Sequence, residues 1–165
     1  MKDTLVMYFG GNHPANSTTK RAATSIADLT GADLFEIEPK YPYSTNDDVC
    51  VQEALRDLGA NARPELARPV PNIEQYSTII LGFPNWCGTA PMPVFSALDE
   101  LHQKGELAGK RIVPFVINGG AGRQKSIDDL EAAYPEANID EGSGFVSSNY
   151  DDAVDLAIEW IQNKM

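Results

Sequence analysis

The segment from Thr78 to Pro93 holds the residue types and spacing most typical of a ligand site. An apolar, β-branched run ends at a glycine and a proline, and a tryptophan follows within turn-forming residues. In an α/β protein, the loop that leaves a central strand is where ligands bind. A tryptophan there favours a flat aromatic ligand, although a single tryptophan more often packs in the core. Because its neighbours form turns, we favour the ligand contact, and the candidate binding residues are Pro84, Asn85, Trp86, Cys87 and Gly88.

A second candidate segment, Gly10 to Thr19, follows the first apolar run of the chain and opens a predicted helix. It is rich in small and hydroxylated residues. Free N–H groups at a helix start, together with hydroxyls, can bind a phosphate without Arg or Lys. Ser and Thr are also favoured as ordinary N-caps at the start of any helix, so the phosphate site and the simple cap both stay open here. The candidate phosphate ligands are Asn16, Ser17, Thr18 and Thr19.

A third candidate segment follows the fourth predicted strand. Its glycines leave backbone N–H groups accessible to the polar edge of a ring, or they form only a flexible turn. Its candidate binding residues are Asn118, Gly119, Gly120, Ala121 and Gly122. The sequence offers no zinc-type spacing of Cys and His, and we assign neither a metal ligand nor a catalytic residue. His13 and His102 are isolated in the sequence, and we expect surface roles for both.

The elements that would position these segments alternate between apolar strands and helical patterns, which is typical of a parallel sheet covered on both faces. The loops after strands one, three and four then meet at one edge of the sheet. We predict strands at about Thr4 to Phe9, Asp33 to Ile37, Thr78 to Phe83, Arg111 to Ile117, and within Asn138 to Val146.

Five helices fit between and after these strands. Their predicted buried faces are Ala22, Ile26 and Leu29; Val51, Leu55 and Leu58; Val94, Ala97, Leu98 and Leu101; Ile127, Leu130 and Tyr134; and Val154, Ala157, Ile158 and Ile161. We expect the first helix to run from Thr18 to Thr30, with Gly31 as its stop. We expect the fourth helix to begin near Ser126, with Asp129 in a capping box. The acidic pairs Asp47-Asp48, Asp128-Asp129 and Asp151-Asp152 are predicted at helix starts, and Trp160 is predicted to pack.

Composition limits the class of protein. The 165 residues suit a single domain spanning 1–165, and Asp and Glu number 24 against 13 Lys and Arg. The net charge of −11 repels nucleic acid and anionic membranes, whereas it would steer a basic protein partner. Cys50 and Cys87 are compatible with a reducing compartment. With no apolar stretch of membrane-spanning length, we expect a cytoplasmic protein.

Together the three segments resemble the flavodoxin family, and most closely its short-chain, flavodoxin-like branch. The resemblance covers nearly the whole chain, and its most specific part is Leu81 to Pro93, which is similar to the family phrase Pro-x-Trp-Trp-Gly-Thr-x-Pro-Met-Pro. Cys87 stands where a second tryptophan is common, and only Asn16 to Thr19 resembles the usual phosphate loop. Further similarities are Leu5 to Phe9, Ala32 to Ile37, Asn61 to Pro64 and Asn118 to Gly122.

The resemblance implies a flavodoxin-like three-layer α/β sandwich with a five-stranded parallel sheet in the order 2-1-3-4-5. It implies FMN as cofactor, with Ser17, Thr18 and Thr19 at the phosphate, Trp86 against the isoalloxazine and Gly119 to Gly122 near the ring. The implied function is electron transfer to redox partner proteins with a basic docking face. Two alternatives stay open: an NAD(P)H:quinone reductase-type flavoenzyme, and a scaffold of this fold that has lost FMN.

Overall fold

A parallel β-sheet organises the chain, with strands paired in the order β2-β1-β3-β4-β5 and β6 also paired with β4. The computed structural model describes residues 3–118, 123–146 and 150–164. The predicted strand order is confirmed, and the first four strands end within one residue of their predicted ends. The strands are β1 (Thr4–Tyr8), β2 (Asp33–Glu36), β3 (Thr78–Pro84), β4 (Arg111–Asn118), β5 (Asn138–Ile139) and β6 (Ser143–Val146).

Helices cover both faces of the sheet, because alternate residues of β1, β3 and β4 supply apolar side chains to opposite sides. On one face Val6, Ile80 and Val113 pack with α1 and α5, and on the other Met7, Leu81 and Ile112 pack with α3 and Leu130 of α4. No helix in the described part of the chain has the length and apolarity needed to cross a membrane. The helices are α1 (Thr18–Thr30), α2 (Asp47–Gly59), α3 (Met92–Gln103), α4 (Arg123–Ala133) and α5 (Tyr150–Lys164).

The fifth position of the sheet is occupied by two short strands. β5 pairs with the start of β4 and β6 with its end, and the break lies opposite Pro114, which has no N–H to donate. Gly142 makes the break with a φ of 61°. A Cβ on Gly142 would lie 2.2 Å from the Pro114 carbonyl oxygen, so glycine is required at this close approach.

The predicted faces of α1, α3 and α5 are largely confirmed. Thr18–Thr30 is the helix that was predicted, and Gly31 ends it with a φ of 71°. Leu29 is the exception, because its side chain is 48% exposed. Trp160 packs as predicted, since it lies partly buried against the α1–α5 cluster, with its ring centroid 6.2 Å from that of Phe115.

Two helix predictions are wrong. The α2 helix exists, but Val51, Leu55 and Leu58 are 53%, 53% and 37% exposed, whereas Cys50 and Ala54 are buried. The helix therefore packs on the protein core through the small side chains of Cys50 and Ala54, and its large apolar side chains point towards solvent. The α4 helix begins at Arg123 instead of near Ser126. Consequently the pair Asp128-Asp129 lies inside this helix, and Asp129 does not form a capping box.

The motif from Asn61 to Pro64 contributes to packing through Arg63. Arg63 Nε donates to Asp99 Oδ2 at 2.7 Å, and its guanidinium lies 5.1 Å from the centroid of the Phe95 ring. Tyr134 donates to the other oxygen of Asp99 at 2.7 Å. This network joins the connection before β3 to α3 and to Tyr134, just after α4.

Candidate functional site

The candidate site lies at the carboxyl edge of the sheet, where the first two candidate segments meet. A Cβ placed on Gly11 would lie 3.7 Å from Pro84 Cγ and 3.9 Å from Trp86 Cζ2. The Asn85 N–H donates to the Ile117 carbonyl oxygen at 2.8 Å, so the second segment is also tied to the end of β4. Asn118 ends β4 at this edge, whereas the predicted residues Gly119, Gly120, Ala121 and Gly122 lie outside the described residues.

The first segment forms a short 3₁₀ turn, Pro14–Asn16, and then the start of α1. Ser17 is the N-cap of this helix, and its Oγ accepts a hydrogen bond from the Lys20 N–H at 3.0 Å. The N-cap interpretation is therefore confirmed for Ser17. The cap occupies the Lys20 N–H, so a phosphate would have to bind the other N–H groups of the first turn, which lack intrahelical partners. Beside the start of α1 is a groove of about 420 Å³ whose walls include Ser17, Lys20 and Arg21.

The second segment is a tight turn closed by two backbone hydrogen bonds. The Trp86 N–H donates to the Thr89 carbonyl at 3.0 Å, and the Thr89 N–H donates to the Trp86 carbonyl at 3.1 Å. Cys87 and Gly88 occupy the two central positions with φ values of 55° and 83°. Both positive values define a type I′ geometry, which is easy for glycine and strained for cysteine. Cys87 is consequently exposed at the apex of the turn.

Trp86 is partly buried, and two aromatic rings lie against it. Its centroid lies 5.1 Å from that of Phe9 and 4.9 Å from that of Tyr43, both nearly perpendicular to the indole. The hydroxyl of Tyr43 donates to Asp57 at 2.6 Å, and burial together with this bond raises the Tyr43 pKa. The indole thus has an aromatic support. Its contact with a ligand ring stays a prediction.

A cavity of about 230 Å³ opens beside the indole. Its walls come from the first segment at Asn12, from Asn85 to Cys87, and from α2 at Asp47, Cys50, Val51 and Ala54. Burial raises the pKa of Cys50 to about 11, helped by the negative charges of Glu53 and Asp47. Partial desolvation raises the pKa of Cys87 as well, although this residue is exposed at the turn. Both thiols are therefore protonated at neutral pH and are poor nucleophiles.

A polar bridge that the sequence did not reveal involves two residues of this cavity's wall, Asn12 and Asp47. His13 Nε2 lies 2.6 Å from Asp47 Oδ1, and Asn12 Nδ2 donates to the Ser44 carbonyl at 2.9 Å. The hydrogen bonds from His13 and Asn12 lower the Asp47 pKa. His13 and His102 are exposed, as expected for surface residues, but each has an acidic partner, Asp47 and Glu136 respectively. Nothing in the local sequence indicates either pairing, because the partners come from separate parts of the chain.

A second unpredicted contact involves Thr89. Its side chain is buried, and its Oγ1 donates to Asp129 Oδ2 at 2.6 Å. Lys125 Nζ donates to the same oxygen at 2.7 Å. Burial raises the pKa of Asp129, but the hydrogen bonds from Lys125 and Thr89 outweigh it, and the net pKa is lowered. This carboxylate stays ionised at neutral pH.

The fold defines a class: a doubly wound α/β protein, in which the carboxyl edge of the sheet combines a hydroxyl-rich helix start with an aromatic turn. The sequence profile described as flavodoxin matches residues 3–164. The chain belongs to the flavodoxin family. The resemblance drawn from the sequence is thereby confirmed, and FMN is the cofactor that this family implies. No curated protein matches the chain in sequence.

Solved structures with the same fold include flavoproteins and reductases. A protein of Bacteroides uniformis, assigned as a flavoprotein, is 26% identical with a TM-score of 0.78 and 98% of each chain covered. A flavoprotein of Lactobacillus acidophilus in complex with FMN is 19% identical with a TM-score of 0.73, covering 92% of this chain and 97% of its own. An azoreductase of Bacillus anthracis is 13% identical with a TM-score of 0.54 and 100% of both chains covered.

Proposed function

We propose that this protein binds FMN at the carboxyl edge of its sheet and transfers electrons as a carrier. The observation that supports this most strongly is the adjacency of two candidate contacts. The Gly10 to Thr19 segment, suited to a phosphate, approaches the Trp86 turn, suited to a flat ring, with only the space of a Cβ between Gly11 and the indole. A ligand with a phosphate at one end and an aromatic ring at the other matches this arrangement.

The residues present fit the cofactor. At the phosphate end, the first N–H groups of α1 and the side chains of Thr18 and Thr19 supply donors, and the positive end of the helix dipole favours an anion. At the ring end, Trp86 is held by Phe9 and Tyr43, and an ordered aromatic loses little entropy when it contacts a ligand. FMN when bound would supply the redox chemistry, and the protein would supply position and electrostatic environment.

A carrier docks a protein partner, and the acidic surface favours a basic one. The net charge of −11 would accelerate encounter with a positively charged protein at low salt. A second function, that of an NAD(P)H:quinone reductase-type flavoenzyme, is supported by the cavity of about 230 Å³ beside Trp86, where a small acceptor could approach the ring. NAD(P)H oxidation with and without an added quinone separates these functions, because a carrier takes up hydride slowly.

The binding test compares FMN with riboflavin, which lacks the phosphate. We expect sub-micromolar affinity for FMN and much weaker affinity for riboflavin in a fluorescence titration. Replacing Thr18→Val removes a hydroxyl but keeps the helix N–H groups and the Ser17 cap, so FMN affinity should fall by about 1 kcal/mol with riboflavin unchanged. Ser96→Ala removes a buried hydroxyl in α3 that donates to Met92, and this matched control should leave both affinities unchanged.

Three results would contradict the proposal in different ways. Equal affinity for the two flavins would show that the start of α1 is not a phosphate site. If the protein shows no flavin absorption after incubation with FMN and removal of the free FMN, the scaffold that has lost its cofactor is favoured. Rapid hydride uptake from NAD(P)H would favour the reductase over the carrier.

A further inference from the structure

A single carboxylate connects the aromatic turn to a second helix. The turn leaves β3 and closes at Thr89, whose hydroxyl donates to Asp129 at 2.6 Å. Asp129 lies in α4, the helix that follows β4. Since β3 and β4 are adjacent and parallel, this bond joins the segment after one strand to the helix after the next.

The turn needs such a tether, because its own geometry is strained. Cys87 adopts a positive φ that a side chain with a Cβ disfavours, and the paired backbone bonds between Trp86 and Thr89 close the loop. The Asn85 N–H anchors the entrance of the turn to Ile117, and Thr89 anchors its exit to Asp129. A hydrogen bond to an ionised acceptor is roughly twice as strong as a neutral one, and Thr89 is only 3% exposed.

We infer that Asp129 is a positioning residue, which acts through Thr89 to hold the Trp86 turn in the conformation that receives the flavin ring. The inference rests on the proposed function and adds a residue that touches neither phosphate nor ring in that proposal. Lys125 Nζ lies 2.7 Å from the Asp129 carboxylate and balances its charge. Asp129 is therefore expected to act by fixing the position of Thr89, and not by its charge acting on the flavin.

A positioning role predicts a specific pattern of affinities. Loss of the tether should weaken the ring contact and leave the phosphate contact intact. Thr89→Val, which is nearly isosteric, should therefore weaken FMN and riboflavin by the same factor, about tenfold. A phosphate-end variant such as Thr18→Val should weaken FMN alone. Thr89→Ser keeps the hydroxyl and should restore most of the affinity.

The experiment measures both flavin affinities for the wild type, Thr89→Val, Thr89→Ser and Asp129→Ala, together with amide hydrogen exchange of residues 86–89 in the apoprotein. Exchange should accelerate in Thr89→Val and Asp129→Ala before any flavin is added. The matched control is Tyr76→Phe, which removes a hydroxyl–carboxylate bond to Asp33 at the opposite end of the sheet. This control should lower the denaturant midpoint without changing flavin affinity or exchange in the turn.

Unchanged flavin affinity in Thr89→Val, with a lowered denaturant midpoint, would overturn the inference and leave only a packing role for the bond. A loss confined to FMN would also overturn it, since the ring would then not depend on the tether. If the wild type binds neither flavin, the proposed function fails. Accelerated exchange in the turn would still show that Asp129 positions it, and unchanged exchange would overturn that as well.

Discussion

Trp86 shows how one residue serves two environments. Part of the indole packs edge-on against Phe9 and Tyr43, which are continuous with the larger core cluster, and another part borders an open cavity. The core interpretation and the ligand interpretation of this tryptophan are therefore compatible. The packed part fixes the ring, and a fixed aromatic is the better partner for a flat ligand.

Replacing Trp86→Ala should have two separable effects. Loss of the partly buried indole should lower the free energy of unfolding by about 2 kcal/mol, less than for a fully buried tryptophan. Loss of the ring contact should weaken FMN by about 1–3 kcal/mol, the range for a base on an aromatic side chain, and should relieve the quenching of flavin fluorescence. Chemical denaturation and flavin titration measure the two. A variant that unfolds more easily yet binds FMN normally would assign Trp86 to packing alone.

Contacts between distant side chains mark the limit of prediction at this scale. Ser17 was recognisable as a cap from its position before an amphipathic run, because capping is a local interaction. The pairs His13–Asp47 and Thr89–Asp129 join residues that lie 34 and 40 positions apart. No periodicity or propensity encodes such a pair, so these contacts become visible only once the fold brings their elements together.

At the scale of elements, Asp140 holds the split fifth position of the sheet. Its carboxylate accepts from Lys164 Nζ of α5 at 2.6 Å and from Arg111 of β4 at 3.2 Å. Burial alone would raise the pKa of Asp140. The hydrogen bonds from Lys164, Gly142 and Arg111 lower it by more than that, so the net pKa lies below the usual value. The ionised carboxylate therefore stabilises the junction between β5 and β6.

Asp140→Asn should lower the free energy of unfolding by about 2 kcal/mol at neutral pH, the worth of hydrogen bonds to a charged group. A carboxyl whose folded pKa is depressed contributes stability above its unfolded pKa of about 4, and that stability is lost as pH falls through the folded pKa. The stabilities of wild type and variant should accordingly converge as pH falls below the unfolded pKa and through the lower, folded one. A difference that persisted undiminished at low pH would show that shape, and not charge, is responsible.

The sequence predicted the wrong buried face for α2 and the wrong start for α4. In α2 the large residues Val51, Leu55 and Leu58 repeat at helical spacing, which normally indicates the buried side. The structure buries Cys50 and Ala54 instead, next to the Trp86 turn. Periodicity identifies a stripe but cannot show that the available space admits only small side chains. In α4, the pair Asp128-Asp129 suggested a helix start because acidic residues favour that position, yet Asp129 belongs to a tertiary contact.

At the scale of the whole molecule, the topology was predictable because it follows from the order of elements. Strands that alternate with helices produce a parallel sheet, and the connections place the loops after β1, β3 and β4 at one edge. The split of the fifth strand was not predictable in detail, since it depends on the close approach of Gly142 to Pro114 in the neighbouring strand β4. Family membership, by contrast, was carried by short local phrases that the sequence displays directly.

The charge of the protein should also influence the midpoint potential of a bound flavin. Fully reduced FMN carries a negative ring charge beside an anionic phosphate, and the three candidate segments contain neither Arg nor Lys. Of the cations at their margins, Lys20 lies beside the start of α1, at the proposed phosphate end and not at the ring end. Lys125 is bound to Asp129, and Arg123 donates to the carbonyls of Glu141 and Gly142 at 3.2 and 3.4 Å. Little positive charge is therefore available to the reduced ring, and the net −11 adds repulsion.

The protein should consequently bind oxidised flavin more tightly than fully reduced flavin. By linkage, the midpoint potential of the couple that forms the fully reduced flavin should lie below that of free FMN. Spectroelectrochemistry at low and high ionic strength measures this. Salt screens charges beyond about 10 Å at 0.1 M, so the potential should rise towards the free value as salt is added. The same salt should slow the reduction of a basic acceptor protein such as cytochrome c, because docking loses its attraction. A potential at or above that of free FMN would refute the electrostatic argument, and a potential indifferent to salt would place its origin in contacts at the ring instead of in the charge of the molecule.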